Sequence, residues 1–338
     1  MNTLTKRILA VLATAAMIIS LAAPALAAET NCDDRTSIDF NKLYQLANSG
    51  TESPAEDFTF NIEKAGVTNS TETLESMPAF AQSSYTVNFD EGGASVLGTT
   101  GTTTVDLPEY DAVGVYTYKV TETDGGTAGV TYISKEILIT VTVINCPEHD
   151  GSFDRLYKVE YAGEAGNKLN HVENTYSAGS LTVQKKVLGK LGDKTRSFNV
   201  TVEFTAPAGD TVRSTIDYTV AGTDKQIAPS DWAGGKASAK FTLKNNQIAE
   251  FENIPYGVTY TVTEAEANED GYVTSIKYSD EGALIDSAGD SVVINNSKDV
   301  TVETGIEGNT WVFAAIAGLI AVLAVILVLR RRQISRQG

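Results

Sequence analysis

Alternation of apolar and polar residues dominates the chain, and long stretches with helical periodicity are scarce. Phe58–Ile62, Val115–Val120, Glu136–Val143, Leu181–Val187, Phe198–Phe204, Thr259–Thr263 and Ser291–Asn295 all read as half-buried strands. Clusters of Gly, Asn, Asp and Ser punctuate them, as at Thr123-Asp124-Gly125-Gly126 and Asn268-Glu269-Asp270-Gly271. Evenly spaced strands with such turns predict an all-β chain of tandem immunoglobulin-like β-sandwiches. A total of 338 residues is enough for two of them. Ser177-Ala178-Gly179-Ser180 reads as the hinge, dividing residues 28–177 from 178–300.

The ends break this pattern. Lys6 and Arg7 precede the apolar run Ile8–Leu21, and Ala25-Leu26-Ala27 offers the small residues of a cleavage site, so residues 1–27 read as a secretory signal peptide. Trp311–Leu329 carries no charge and is long enough to span a bilayer. Arg330, Arg331, Arg332 and Arg336 follow, and the positive-inside rule keeps them cytoplasmic. Everything between the two ends is therefore expected outside the cell.

Composition narrows the chemistry. The net charge is −17, and residues 28–304 alone carry 20 basic and 42 acidic side chains. That balance excludes a nucleic-acid partner, whose phosphates need a basic footprint, and reads as a well-solvated exterior. Two His, no phosphate-binding or nucleophile-elbow motif and no calcium-loop spacing leave neither an ordinary active site nor a metal or cofactor site to propose. Cys32 and Cys146 are an exported pair, for which a disulfide is the default.

The two halves repeat an unusual feature. Tyr118, Val120 and Glu122 share one face of a strand, as do Tyr260, Val262 and Glu264. Each set aims an acid at a core, where Glu is rarely found without a partner. Near the start of each half, Ile38-Phe40-Lys42 and Leu181-Val183-Lys185 aim a lysine inward; near each end, Val172-Asn174 and Val292-Ile294-Asn296 do so with an amide. The Lys-to-Glu separations are 80 and 79 residues. Face-sharing selects Asn296 over Asn295 and Lys185 over Lys186. Read from the residues alone, each set is a buried Lys–Glu ion pair with an amide partner.

Phe58-Thr59-Phe60, the Tyr-x-Val-x-Glu strand and Asn174-Thr175-Tyr176 resemble the pilin isopeptide-linkage domain of streptococcal-type backbone pilins. Leu181–Lys185, Phe251–Gly257 and the Glu264 strand resemble the B-type repeat of collagen-binding adhesins. In those families a Lys amine attacks an Asn amide and ammonia leaves, joining the first strand to the last. The resemblance implies bonds Lys42–Asn174, with Glu122 as catalytic acid, and Lys185–Asn296, with Glu264. Apolar burial favours a neutral amine, and a neighbouring acid can carry the proton to the leaving group.

Thr301-Val302-Glu303-Thr304-Gly305, followed by the apolar span and Arg-rich tail, resembles the cell-wall sorting signal of Gram-positive surface proteins. There a sortase cleaves between Thr and Gly, here Thr304 and Gly305. Thr301 and Val302 replace the usual Leu and Pro, which favours a dedicated pilus sortase. The resemblance further implies an acceptor lysine shortly before the bonded Asn: Lys168, with Lys158 as runner-up. The expectation is thus a shaft pilin, not an enzyme in the usual sense. Its partners are a sortase, other copies of itself, the peptidoglycan anchor and any tip or basal pilins. A monomeric wall-anchored adhesin built from the same domains is the alternative.

Overall fold

A computed structural model describes residues 33–146, 153–164, 166–279 and 282–300. The signal segment, Cys32, the Thr301–Gly305 motif, the apolar span and the Arg-rich tail lie outside the described residues. Among the described residues no helix is long and apolar enough to cross a membrane.

Eighteen strands, β1 to β18, and one short 3-10 turn make up the described chain, and none of it is α-helical. Strands β1 (Ser37–Leu46), β2 (Glu56–Thr68), β3 (Ser84–Phe89), β4 (Thr99–Asp106), β5 (Gly114–Glu122), β6 (Val130–Thr131), β7 (Ile137–Asn145), β8 (Phe153–Tyr161) and β9 (Val172–Tyr176) form a four-stranded sheet in the order β4-β1-β9-β6 and a five-stranded sheet in the order β3-β2-β5-β7-β8. Strands β10 (Ala178–Leu188), β11 (Phe198–Thr205), β12 (Ile216–Val220), β13 (Thr223–Ile227), β14 (Lys236–Leu243), β15 (Ile248–Pro255), β16 (Thr259–Glu264), β17 (Val273–Tyr278) and β18 (Gly289–Ser297) form a six-stranded sheet, β13-β12-β15-β10-β18-β17, and a three-stranded sheet, β14-β11-β16. The seven strands expected from alternation fall on β2, β5, β7, β10, β11, β16 and β18, with only Glu136 of the expected residues lying outside its strand. Period-2 patterning works here because one face of each of these strands packs on a core and the other meets solvent.

The first core gathers Ile38, Phe40, Phe58, Phe60, Tyr118 and Ile139; the second gathers Leu181, Val183, Val202, Phe204 and Phe251. Each such side chain contributes about 1.5–3 kcal/mol through removal from water. In both halves the first and last strands are neighbours and run parallel, β1 with β9 and β10 with β18. A strand carrying an inward Lys therefore lies beside a strand carrying an inward Asn.

The expected hinge takes a different form. Ser177 alone separates β9 from β10, and Ala178 and Gly179 already belong to β10. Ala178 is fully buried, and a Cβ on Gly179 would come within 2.2 Å of the Ser287 carbonyl oxygen. The Ser177 N–H donates to Gly129 O, and its carbonyl accepts from Tyr256 N. Small residues are present at this point because the chain is tightly packed there, not because it is loose. Around it the halves are stitched together. Thr211 N donates to Gly126 O and Ala128 N to Thr211 O; the Tyr176 hydroxyl donates to Ser214 Oγ at 3.0 Å.

Candidate functional site

Lys42, Glu122 and Asn174 meet inside the first sandwich. Alternation along β1 places Lys42 on the face of Ile38 and Phe40, and parallel pairing sets it opposite Val172, two residues before Asn174. Strand β5 brings Glu122 from the facing sheet. The Lys42 and Glu122 side chains are wholly enclosed, and Asn174 is buried. Lys42 Nζ hydrogen-bonds to Asn174 Oδ1 and lies 3.2 Å from Glu122 Oε1. Asn174 Nδ2 donates to both carboxylate oxygens, at 2.9 and 3.0 Å. A single carboxylate thus bridges the amine and the amide nitrogen.

The second sandwich repeats the arrangement. Lys185 on β10 stands opposite Ile294, two residues before Asn296 on β18, and Glu264 reaches across from β16. Lys185 Nζ is 2.6 Å from Glu264 Oε2, and Asn296 Nδ2 donates to Glu264 Oε1 at 2.6 Å. Asn296 Oδ1 is buried and has no hydrogen-bond partner among the described residues. Asn295 and Lys186 are only partly buried, as their positions on the opposite strand face require.

Desolvation governs both amines. It pulls Lys42 down from 10.5 to about 8, against the opposing attraction of Glu122. Lys185 is lowered for the same reason, again against its glutamate partner. Aromatic rings do much of the enclosing. Lys42 Nζ lies 4.6 Å from the Phe58 ring centre, and Lys185 Nζ lies 4.3 Å from that of Phe198. Sequence reading placed both phenylalanines on strands, and Phe58 in the motif of the resemblance, but gave neither a place around the amine. It also missed Ile133, whose backbone N–H donates to Glu122 Oε2 at 2.6 Å and fixes the carboxylate. A backbone donor from a distant loop leaves no mark on side-chain patterning.

Residues 38–177 match the family model of the Spy0128-like isopeptide containing domain. The first sandwich is similar in sequence to this domain family. Residues 179–298, likened from sequence to an adhesin B-type repeat, match the model of a domain of unknown function, DUF7601. A pilin of Streptococcus pyogenes serotype M1 is 29% identical over 342 residues, covering 92% of this chain and 95% of the relative. The crystal structure of the major pilin of S. pyogenes superposes with a TM-score of 0.54 at 23% identity, covering 79% of this chain and all of that one. The T3.2 major pilin of the same species gives 0.53 at 22%, covering 79% and 99%. The fold of the two sandwiches is thus similar to that of streptococcal major pilins.

The remaining predicted residues lie elsewhere. Lys168 is exposed, and among the described residues it has no ion-pair partner. Lys158, on β8 (Phe153–Tyr161), is held by Glu160 at 2.7 Å. Both line a groove of about 630 Å³ beside β1. Cys146 is disulfide-bonded; Cys32, its expected partner, lies outside the described residues, as do Thr304 and Gly305. Close by, Arg155 grips Asp34 through Nε and Nη2 at 2.9 and 2.6 Å, securing the start of the described chain to β8.

Proposed function

We propose that this chain is the shaft subunit of a covalent pilus, with each sandwich closed by a self-formed Lys–Asn isopeptide bond. The observation that carries the reading is the pair of buried Lys–Glu–Asn sets in one shared register. In the first set the Lys42 Nζ–Asn174 Cγ bond forms, Cγ–Nδ2 breaks, and ammonia leaves. Glu122 accepts the proton released by the amine and returns it to Nδ2, since it touches both nitrogens. Enclosure supplies the neutral amine, and strand pairing supplies proximity. Lys185, Glu264 and Asn296 run the same step in the second set. Each site turns over once, so the protein is structural and not a conventional enzyme.

In this reading a pilus sortase cleaves after Thr304 and transfers its carbonyl to Lys168 of the next copy. The finished polymer is anchored in the cell wall after passing through a membrane-bound precursor. A chain joined head to tail makes a heterologous contact that does not close, and therefore a fibre.

Intact mass of residues 28–304, beside Glu122→Ala and Glu264→Ala variants, tests the chemistry. The wild type is expected to lack two ammonia masses and each variant one. A wild type of full calculated mass makes both sets ordinary buried polar clusters.

A further inference from the structure

Strand β1 carries Lys42, and the chain just before it is held by one side chain. Asp34 Oδ1 accepts from the Arg155 backbone N–H and Nε at 2.8 and 2.9 Å, and Oδ2 accepts from Nη2 at 2.6 Å. Arg35 N donates back to Arg155 O at 2.9 Å, completing a clasp between residues 34–35 and β8. The remaining nitrogen, Nη1, donates to Pro108 O and Glu109 Oε1 at 3.1 and 2.9 Å, just past the end of β4. One buried guanidinium thus fixes the entry of β1 and the exit of β4, two strands that pair over residues 37–44 and 99–106. A planar fork with several directed donors sets position more narrowly than a point charge does.

Register is what the clasp can supply. Strand β4 reads Thr99-Thr100-Gly101-Thr102-Thr103-Thr104 before Val105, and a strand so uniform specifies its partner weakly. The Thr104 and Thr102 hydroxyls donate to Asp39 and Asn41 across the pair. A slip of two residues would set Thr102 and Thr100 there and offer the same bonds. Such a slip keeps every side chain on its face, but it moves Lys42 about 7 Å along the strand, away from Asn174. On the other side of β1, strand β9 pairs only from Lys42 onward and leaves the first half unguided. The second sandwich has no such need. Ser177 alone separates β10 from β9, so the entry of its lysine strand is set by the chain before it.

We infer that Arg155 is a positioning residue for the first cross-link: by clasping Asp34 and the exit of β4, it sets the register of β1 that brings Lys42 Nζ to Asn174. This inference rests on the reading that the Lys42–Asn174 bond forms. Cys146 is disulfide-bonded, and a bond to Cys32, two residues before Asp34 in sequence, would restrain the same entry.

The test follows closure of both sites in the full chain. A secreting host is pulsed with heavy lysine, and digests of the chased protein report the fractions of Lys42 and Lys185 found cross-linked at each time. Arg155→Gln and Asp34→Asn are expected to slow closure at Lys42 about tenfold, with Lys185 unchanged as the internal reference. The set is repeated with Cys32→Ser and Cys146→Ser, so that a disulfide cannot stand in for the clasp. Register is read separately in that cysteine-free chain, held open by Asn174→Ala. There Asn41→Cys is combined with Thr102→Cys, its partner in the structure, or with Thr100→Cys, its partner after a slip of two. Oxidation is expected to join 41 to 102 when Arg155 is present, and to join 41 to 100 as well in Arg155→Gln. Normal closure at Lys42 in both cysteine backgrounds overturns the inference. So does slow closure without the 41–100 disulfide, which would make Arg155 a structural support alone; either result leaves the bond itself standing. If Lys42 never cross-links in the wild type, the reading of the first set fails and its positioning residue falls with it.

Discussion

Lys42 faces the residue two positions before Asn174 on a parallel neighbouring strand, and Lys185 stands in the same relation to Asn296. Parallel first and last strands permit this offset in each domain, and a bond across it closes a loop that contains nearly the whole sandwich. By analogy with a disulfide closing a loop of that length, each proposed bond is expected to stabilise its domain by about 5 kcal/mol. Asn174→Ala, or Asn296→Ala, is therefore expected to lower the melting temperature by roughly 15 °C or more. Calorimetry measures this directly. A shift of only a few degrees would show that the loops are not covalently closed in the wild type.

Asn174→Ala also leaves Lys42 enclosed and unlinked, which gives stability a defined pH dependence. The lysine titrates at 10.5 when unfolded and is pulled down to about 8 by burial. Between those values the unfolded chain holds a proton that the folded chain has released, so stability rises with pH. Below about 8 both states are protonated, and the full cost of enclosing the charge is present. Denaturant melts across pH 7.5–10.5 should show this rise, and a Lys42→Met, Asn174→Ala double variant should lack it. Parallel profiles for the two variants would place Lys42 in a solvated environment.

Side-chain patterning made the two sites legible because the strand period assigns faces without knowledge of the partner strand. Ile38-Phe40-Lys42 and Tyr260-Val262-Glu264 each announce an inward charge once alternation is recognised. Contacts between distant backbone segments were not legible. Ile133 reaches Glu122 through a peptide N–H, which any residue supplies. At Ser177–Ser180 small residues suggest flexibility, yet the same composition allows the close backbone approach at Gly179. Composition alone does not separate the two cases.

Asn253 is another residue whose role emerges only in three dimensions. Its amide mimics a peptide group: Oδ1 accepts from Glu52 N at 3.1 Å, and Nδ2 donates to Glu52 O and Thr215 O at 2.9 and 3.1 Å. It does so from a left-handed backbone, φ 60°. Glu56, which is buried, accepts from the Thr127 and Tyr132 hydroxyls and lies 3.5 Å from Arg213 of the other sandwich. Asn253→Gly keeps the backbone and loses the clasp, at a cost of about 1–3 kcal/mol. Asn253→Ala adds backbone strain of about 1 kcal/mol more. Hydrogen exchange at Ala128 and Thr211, whose amides bridge the junction, should accelerate in that order. Unchanged exchange in both variants would mean the remaining contacts hold the junction unaided.

If both proposed bonds form, the order of sites along the chain gives them different mechanical roles. With load entering at Lys168 and leaving at Thr304, tension runs along β9, through Ser177, into β10 as far as Lys185, across to Asn296 and out. The first sandwich lies before Lys168 in sequence, apart from β9 itself, so its bond holds the domain onto the loaded strand without carrying the load. The second bond lies in line. A molecule pulled through Lys168 and Thr304 is therefore expected to be inextensible in the wild type and nearly so in Glu122→Ala. In Glu264→Ala the chain between Lys185 and Asn296 is released, lengthening the molecule by about 350 Å. Single-molecule force spectroscopy separates these cases. Equal extension of the two variants would mean that load enters the shaft somewhere other than Lys168.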